Sequence, residues 1–517
     1  MDSLSMVISA SALAPTVLLA LLALLGHLQL LPERKLWRLF RILLITLLVC
    51  TVVTALGHAQ AWYLPTGLKL TTFGVLMAVL VQLLGTVIGG FSSRYLQGEP
   101  GQARYLAALS AVLAAVHLLL IADNWLVLIA AWSMVGTALQ HLLCFYPDRA
   151  FARLAAHKKK LADVLADGLL IAAASLAWLE TGSGSISALG DYVAQQGMSL
   201  ALQASAMALV LAVILRTALM PVHGWLIQVM EAPTPVSALL HAGVVNLGGF
   251  VLIRFAPMLE QAMFARTLLL AFGLATAVLA GMVMLTRISI KVRLAWSTVA
   301  QMGFMLLECA LGLYTLAALH LMGHSLYKAH AFLAASTVVR QARQEALWGK
   351  ARPHALTLLL APVLTASVVF AVQMLLDHTP WPWWWSVMLG LAWAPMLWFQ
   401  SGNADAIAPL RHTVLGGLMV CALTAAALLA HSIPLGIADT HNHALGMLAL
   451  LGMLLLYSAL VLMQLRPKAI ARWQRWSYAG FYVDEIYTRL ALRIWPTQWT
   501  QSPWQSNGSE HIPRRLQ

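Results

Sequence analysis

The chain has 517 residues, of which 61% are hydrophobic and only 10% are charged. A soluble protein of this length would carry about 25% charged residues, so the composition excludes a soluble globular fold. The formal net charge of +13 does not indicate nucleic-acid binding, because Lys and Arg stand between apolar runs rather than on one basic face. We therefore expect a membrane protein that is surrounded by lipid and has no nucleic-acid partner.

The cysteines give no sign of a redox or metal site. They are far apart, each within or beside an apolar run, at Cys50, Cys144, Cys309 and Cys421. No CxxC pair or Cys/His ligand spacing occurs, so we interpret them as small buried hydrophobes and predict neither a metal nor a cofactor. The sequence also lacks a nucleotide-binding glycine motif, which argues against an oxidoreductase.

Apolar runs of about 20 residues predict transmembrane helices. Their number predicts an all-α polytopic membrane protein with about 15 transmembrane helices (14–15). The N-terminus lacks the positive region of a signal peptide, so the first run is predicted to be a retained span. The candidate spans are residues 5–30, 36–57, 67–91, 104–121, 125–146, 161–179, 200–221, 234–256, 265–286, 293–312, 314–339, 356–376, 382–400, 412–432 and 443–464.

The distribution of basic residues orients these spans. Of the 32 Lys and Arg residues, 27 fall in alternate connections or in the C-terminal tail. Cytoplasmic connections are enriched in Lys and Arg, so we predict a periplasmic N-terminus and a cytoplasmic C-terminus. After residue 465 arginines alternate with aromatic residues, which predicts an amphipathic cytoplasmic segment at the membrane interface, or a docking surface for a partner.

Ionisable residues interrupt the apolar stretch between residues 216 and 241. They are Arg216, His223, Glu231 and His241, and the prolines Pro221, Pro233 and Pro235 predict a broken helix among them. Ionisable groups persist at membrane depth where they line a cavity, pair with each other or move an ion. Histidine suits a proton relay, whereas a guanidinium stays charged and can only tune a neighbour or hold an anion. The alternatives are a structural ion pair for the arginine and core histidines bonded to backbone carbonyls.

A second group is spaced for one helical face. His320, His324 and Lys328 are four residues apart, so they line up along the eleventh predicted span. Burial away from water favours a neutral lysine, which could then take up and release a proton. The alternative is a packing stripe with a lysine that extends to the membrane surface. Lys328 lies more than ten residues before Arg340, the first basic residue of the next connection, which disfavours that alternative.

Two carboxylates on the sixth predicted span are also spaced for one helical face. Asp163 and Asp167 are four residues apart and share one helical face. Either they belong to an intramembrane charged group, or they form a solvated helix end balanced by Lys158, Lys159 and Lys160. The sequence leaves both interpretations open, because the choice depends on how deep the helix begins.

Four segments together resemble the antiporter-like membrane subunits of respiratory complex I and of multisubunit cation/proton antiporters. They are residues 91–99, 225–241, which includes Ala-Pro-Thr-Pro-Val-Ser-Ala-Leu-Leu-His, 290–303 and 320–329. The resemblance implies two inverted five-helix repeats, each with a broken helix, and a charged axis at the membrane midplane. It divides the chain into N-terminal helices (1–103), a first repeat (104–256), a second repeat (257–400), C-terminal helices (401–465) and a cytoplasmic interfacial tail (466–517).

The resemblance also assigns roles by position. Lys328 matches the central relay lysine of that family, and His324 and His320 match its histidine neighbours. His241 matches the relay histidine after the first broken helix, and Asp163 matches an acidic residue of the first repeat.

Three positions depart from the family pattern. The glutamate that the family carries after Trp132 is Ser133, and the first-repeat lysine is Arg216. The second-repeat lysine of the twelfth span has no counterpart, because residues 356–376 hold no charge.

Within this superfamily the chain resembles the DabB subgroup, the membrane subunits of two-component inorganic-carbon accumulation complexes, in its length and in its ending Phe481-Tyr-Val-Asp484-Glu485-Ile-Tyr. That resemblance implies the bacterial inner membrane and a cytoplasmic DabA-like partner, similar to a zinc carbonic anhydrase, in an assembly that could be a dimer of heterodimers. This chain would conduct protons or another cation and would not itself be an enzyme. The alternatives are a proton or sodium/proton antiporter subunit and a passive membrane scaffold.

Overall fold

Helices dominate the computed structural model, which describes residues 3–58, 63–64, 67–335, 353–377, 379–399, 408–466, 468 and 470–497. Within these residues the only sheet is a short hairpin, in which β1 (Tyr63–Leu64) pairs antiparallel with β2 (Leu68–Lys69). The predicted all-α membrane fold is therefore confirmed.

The helices follow one another with short connections. Up to the second break they are α1 (Ser3–His27), α2 (Glu33–Gly57), α3 (Thr72–Tyr95), α4 (Gln102–Ile121), α5 (Trp125–Leu143), α6 (Ala150–Thr181), α7 (Ile186–Gln196), α8 (Leu200–Arg216), α9 (Gly224–Ile227) and α10 (Thr234–Ala242). After it come α11 (Leu247–Arg254), α12 (Ala256–Gln261), α13 (Met263–Thr286), α14 (Ile290–Leu311), α15 (Tyr314–Leu333), α16 (Ala355–Leu375), α17 (Trp383–Trp393), α18 (Ala408–His431), α19 (His443–Leu465), α20 (Ala471–Tyr478) and α21 (Val483–Ile494).

Each predicted span falls on helical segments, and twelve of these within the described residues are long and apolar enough to cross a membrane, if α10 and α11 are counted as one segment, Thr234–Arg254. The other three spans lie on α8, which is shorter, on α15, which carries three histidines and a lysine, and on α17, which is only 11 residues long. The end of the span predicted at 314–339 lies outside the described residues.

The start of α6 differs most from its prediction. This helix begins at Ala150, rather than near residue 161, and its 32 residues give it a length of about 48 Å. The three lysines at 158–160 therefore belong to the helix and not to a connecting loop. Hydropathy alone placed the boundary after them because it assigns charged residues to loops.

The helix is broken where the prolines predict. α8 ends at Arg216 and α10 begins at Thr234, directly after Pro233, with only α9 and a 3-10 turn between them. Proline cannot donate a backbone hydrogen bond and its ring clashes with the preceding turn, so a continuous helix cannot form there. A second break separates α10 from α11 at Gly243.

Burial distinguishes inner from peripheral helices. α4 and the α10–α11 segment are almost enclosed by other helices, whereas α1, α2, α16 and α18 expose most of their side chains. Exposed leucines and valines on these peripheral helices suit contact with lipid. The broken segment around α10 thus lies in the interior of the helix bundle.

Several basic connections lie together on one side of the bundle, which we call the basic face. Arg149 Nη1 lies 3.7 Å from Glu231 Oε2, and Lys291 Nζ donates a hydrogen bond to Thr234 Oγ1 at 3.0 Å. The connections that precede α6, α10 and α14 are therefore neighbours. α20 packs against α13, and α21 packs against α6 and α9 on the same side.

The C-terminal segment is helical where it is described. α21 buries Tyr487 and Ala491 and exposes Ile486, Leu490 and Ile494. Residues 498–517 of the predicted interfacial tail lie outside the described residues.

Candidate functional site

Lys328 is almost completely buried on α15, at 1% exposure. Its ammonium contacts the Ser297 hydroxyl and donates to the Leu294 carbonyl at 3.2 Å, both on α14. Within the described residues no carboxylate lies within 4.0 Å of the amine. A lysine held only by neutral oxygen atoms can exist in either charge state, which suits a group that exchanges a proton.

Two turns before Lys328 on the same face of α15, His320 contacts a buried carboxylate. His320 Nδ1 lies 2.8 Å from Glu308 Oε2, and His320 Nε2 lies 2.7 Å from Gln301 Oε1. Glu308 is buried on α14 and pairs with no other described basic group. This imidazole can therefore exchange a proton with the Glu308 carboxylate, while the Gln301 amide oxygen can only accept a hydrogen bond from it.

Two more histidines are buried near this face: His324 on α15 and His241 on α10. The His324 ring centroid is 6.1 Å from that of His320, and the His241 ring stacks on Phe332 at 4.4 Å. Neither His324 nor His241 has a hydrogen-bond partner for a ring nitrogen among the described residues. A buried polar group without a partner is costly, and such groups cluster at functional sites. We call Glu308, His320, His324, Lys328 and His241 the α15 cluster.

The break at Gly243 is fixed against α15. Asn246 Nδ2 donates to the Ala242 carbonyl at 2.9 Å and to Ser325 Oγ at 2.7 Å. Ser325 lies on α15 between His324 and Lys328, so this amide holds the end of α10 beside both residues. His241 therefore enters the cluster because the helix is interrupted just after it.

A second buried charge group follows one face of α6. Lys159, Asp163 and Asp167 are four residues apart, and Lys159 forms a buried ion pair with Asp163. The Lys159 ammonium also lies 5.0 Å from the Trp225 ring centroid. Lys158 and Lys159 are buried, whereas Lys160 is exposed. The interpretation of this region as a solvated helix end is therefore wrong for the pair of Lys159 and Asp163.

Arg216 completes the group, which we call the α6 cluster: Lys159, Asp163, Asp167 and Arg216. Its guanidinium forms an ion pair with Asp167 and donates to the Trp132 carbonyl at 2.6 Å. Ser133 Oγ donates to Asp167 Oδ1 at 2.7 Å. The carboxylate of Asp167 on the neighbouring helix thus lies beside position 133, where the resemblance leads one to expect a glutamate.

The remaining predicted residues lie in different surroundings. His223 is buried, with its ring centroid 4.9 Å from that of Trp296 on α14. Glu231 has a side chain that is 38% exposed and lies at the basic face beside Arg149, outside both clusters. The structure therefore brings His223 and His241 into the interior but separates Glu231 from them.

Sequence reasoning did not select Glu308, and it placed Lys159 with Asp163 only as part of a solvated helix end. Signals for both were present, because Glu308 is the single acidic residue of α14 and Lys159 stands four residues before Asp163. The pairing of Asp484 with Lys158, described below, could not be read from neighbouring residues, because the two are 326 residues apart in the sequence.

Comparison with known proteins identifies the family. Residues 122–375 match the family model described as NADH:quinone oxidoreductase/Mrp antiporter, transmembrane. The "probable inorganic carbon transporter subunit DabB" of Hydrogenovibrio crunogenus is 38% identical over 436 residues, which cover 82% of each chain. The chain belongs to the DabB family. The "probable inorganic carbon transporter subunit DabB2" of Halothiobacillus neapolitanus is 36% identical and aligns with 86% of this chain and 84% of its own length.

A solved structure shares the fold of this DabB-family chain. The Mrp complex from Dietzia sp. superposes with a TM-score of 0.59 at 21% identity, over 98% of this chain and 62% of that chain. At this identity the likeness shows the fold alone. Both clusters lie within the matched family region, and they are the part of the chain on which an inference about transport depends.

Proposed function

We propose that this chain is the proton-conducting subunit of an inorganic-carbon transporter and that its proton current powers a DabA-like partner. The partner would resemble a zinc carbonic anhydrase and convert CO2 to bicarbonate on the cytoplasmic side. The observation that carries the proposal is the α15 cluster, a buried row of titratable groups that ends at a lysine without an ion-pair partner among the described residues. Similarity to DabB subunits supports the choice of inorganic carbon.

Geometry gives this path an order. Protons would reach Glu308 and His320 first, pass His324 and arrive at Lys328. His320 and Lys328 are separated by about 12 Å along α15. His320 already contacts Glu308, whereas the 6.1 Å between the rings of His320 and His324 requires a side-chain movement or an intervening water for transfer.

The two clusters would interact through charge. His241 stacks on Phe332, one turn after Lys328, and His223 packs on Trp296 of α14, so a proton that arrives at Lys328 would change the field that both histidines experience. Arg216 keeps its charge at any accessible pH, and its role would be to pair with Asp167 rather than to carry a proton.

The driving force is sufficient for accumulation. One proton that falls through 100 mV releases about 2.3 kcal/mol. This free energy could sustain a ~50-fold concentration ratio of a product formed on one side. One-way hydration of CO2 would trap carbon as an anion, which crosses the membrane poorly.

The proposal includes an orientation and a division of the chain. We propose that the basic face is cytoplasmic, that the N-terminus is periplasmic, and that the membrane is the bacterial inner membrane. We further propose that residues 104–256 and 257–400 are the two antiporter-like repeats, between the helices of 1–103 and 401–465, with 466–517 as the cytoplasmic tail.

Replacing Lys328 by Ala tests the proposal. We expect growth that depends on inorganic carbon, and uptake of labelled inorganic carbon, to be abolished, while the complex with the partner still co-purifies. The matched control is Lys35→Ala, which removes an exposed lysine and should leave uptake unchanged.

Unchanged uptake in the Lys328→Ala variant would refute the proposal. If the deletion strain were instead sensitive to sodium or pH without dependence on CO2, an antiporter subunit would be the better assignment. If neutral substitutions at Lys328, His324 and Arg216 were all silent, the chain would be a passive scaffold.

A further inference from the structure

A buried ion pair attaches the C-terminal helix α21 to α6. The Lys158 side chain is 0% exposed, and its Nζ lies 2.7 Å from Asp484 Oδ1. The same ammonium donates to Thr488 Oγ1 at 3.1 Å, and the Tyr487 hydroxyl donates to the Lys158 carbonyl at 3.0 Å. Lys158 is the residue next to Lys159 of the α6 cluster, so a charge on α21 directly faces the helix that carries that cluster.

The Asp484 carboxylate also lies against the broken helix. A Cβ atom at Gly224 would collide with Asp484 Oδ1, so the close approach of the two segments requires glycine there. Gln228 Nε2 donates to Asp484 Oδ2 at 3.3 Å. Asp484 therefore joins α6, α9 and α21, and it stands beside His223, the residue that precedes Gly224.

Asp484 differs from the groups it contacts in one respect, because its side chain is 19% exposed whereas Lys158 is enclosed. This carboxylate therefore contacts the enclosed ammonium on one side and is partly accessible to solvent on the other. The neighbouring Glu485 is exposed and forms no ion pair within the described residues.

Apolar contacts already hold α21 in place. Tyr487 and Ala491 form a small buried cluster with Leu161 and Val222. A buried ion pair contributes little net stability compared with neutral groups of similar size, because both charges lose their hydration. The attachment of the helix therefore does not explain why a charged pair occupies this position.

We infer that Asp484 is a proton-exchange residue that connects the buried charges of α6 with the cytoplasm. In the transfer step the Asp484 carboxylate takes a proton from the Lys158 ammonium, which leaves a neutral amine and a carboxylic acid. The acid then releases the proton to water at the basic face and returns to the carboxylate. The inference rests on the proposed function, and it adds an exit for the proton on a segment outside the matched antiporter region.

The test compares variants of the intact complex in proteoliposomes. A potassium diffusion potential drives proton flux, which an enclosed pH-sensitive dye reports. We expect Asp484→Asn to reduce the flux at least tenfold and Asp484→Glu to restore most of it, because only the latter can carry a proton. Glu485→Gln is the matched control, with the same change one residue away on the exposed side, and its flux should equal that of the unmodified protein.

A double variant separates conduction from attachment. In Lys158→Met with Asp484→Asn no buried charge is left unpaired, so hydrogen exchange at residues 483–494 should remain as slow as in the unmodified protein. The inference requires the flux of this variant to stay low. Recovery of flux in the double variant would overturn it and assign the pair a structural role.

The two proposals can fail separately. If Asp484→Asn conducts normally while Lys328→Ala does not, the inference is wrong and the proposed function stands. If Lys328→Ala also conducts normally, the proposed function itself is wrong.

Discussion

Arg216 shows how a single side chain organises the α6 cluster. Its guanidinium is fully ionised and reaches two acceptors at once, the Asp167 carboxylate and the Trp132 carbonyl. A planar fork of N–H donors suits this arrangement, and a lysine could not satisfy both acceptors from one ammonium group. An arginine at this position thus provides a charge that is not titrated at any accessible pH.

Arg216→Gln should destabilise the protein. The change would leave the Asp167 carboxylate with only the Ser133 hydroxyl as a described partner, and removal of one member of a buried pair costs about 3 kcal/mol. We expect a lower thermal unfolding midpoint in detergent, and a recovery of most of that loss in the double variant with Asp167→Asn. Arg41→Gln, which removes an exposed arginine, should leave the midpoint unchanged.

An additive effect of the two changes would contradict this account, because residues that interact directly show a coupling free energy. The sequence predicted Arg216 and offered a structural ion pair as one interpretation. It could not name Asp167 as the partner, since helix spacing relates residues on one helix and not those on two packed helices.

At the scale of elements, a distant connection holds the turn between α14 and α15. The Thr440 amide donates to the Gly312 carbonyl at 3.0 Å, and the Asn442 amide donates to the Leu311 carbonyl at 3.0 Å. Gly312 has φ +78°, and a Cβ atom there would collide with the Thr440 carbonyl, so this turn needs glycine. The connection between α18 and α19 therefore sets where α15 begins and how its face is directed.

Asp439 makes the contact between this connection and the start of α15 sensitive to pH. Its Oδ1 accepts a hydrogen bond from the Thr315 amide at 2.8 Å, and burial raises the pKa of the carboxyl above its usual value. A carboxyl with a raised pKa in the folded state stabilises the fold when it is protonated, and this contribution is lost as the pH rises through the folded-state pKa. Asp439→Asn, which resembles the protonated form, should therefore raise the thermal midpoint at neutral pH.

The stabilisation by Asp439→Asn should shrink as the pH falls toward the ordinary pKa of a carboxyl group, because the unmodified residue then becomes neutral as well. Thermal unfolding of both proteins over a pH series measures the difference. The exposed Asp191→Asn serves as control and should show no such trend. A constant difference between the two proteins at every pH would rule out this explanation.

The sequence predicted those features of the helices that depend on local residues. Apolar length located the spans and proline located the break near Pro233, because both depend on local sequence. The start of α6 was misplaced because Lys158 and Lys159 are buried by other segments. A hydropathy profile cannot indicate that a charge is buried by a partner distant in the sequence. The pairing of Asp484 with Lys158 could be found only in the folded structure.

At the scale of the whole molecule, the broken segment contacts elements of both clusters, because Trp225 lies beside Lys159 and His223 lies beside Trp296 of α14. His223 contacts Trp296 of α14 and precedes Gly224, which touches Asp484. One short stretch between α8 and α10 therefore borders α6, α14 and the C-terminal helix. A continuous helix at this point would keep the two clusters apart. A broken helix instead places polar backbone groups and side chains in the interior, next to both clusters.

The orientation of the molecule can be tested with cysteine labelling. Glu485 and Asp191 are exposed, the first at the basic face and the second on α7. Because basic connections remain in the cytoplasm, we expect a membrane-impermeant maleimide to label Asp191→Cys in intact cells and Glu485→Cys only in inverted vesicles. Both variants are made in a chain whose native cysteines, Cys50, Cys144, Cys309 and Cys421, are replaced by Ala. The reverse labelling pattern would place Asp484 in the periplasm and would remove the cytoplasmic exit for the proton.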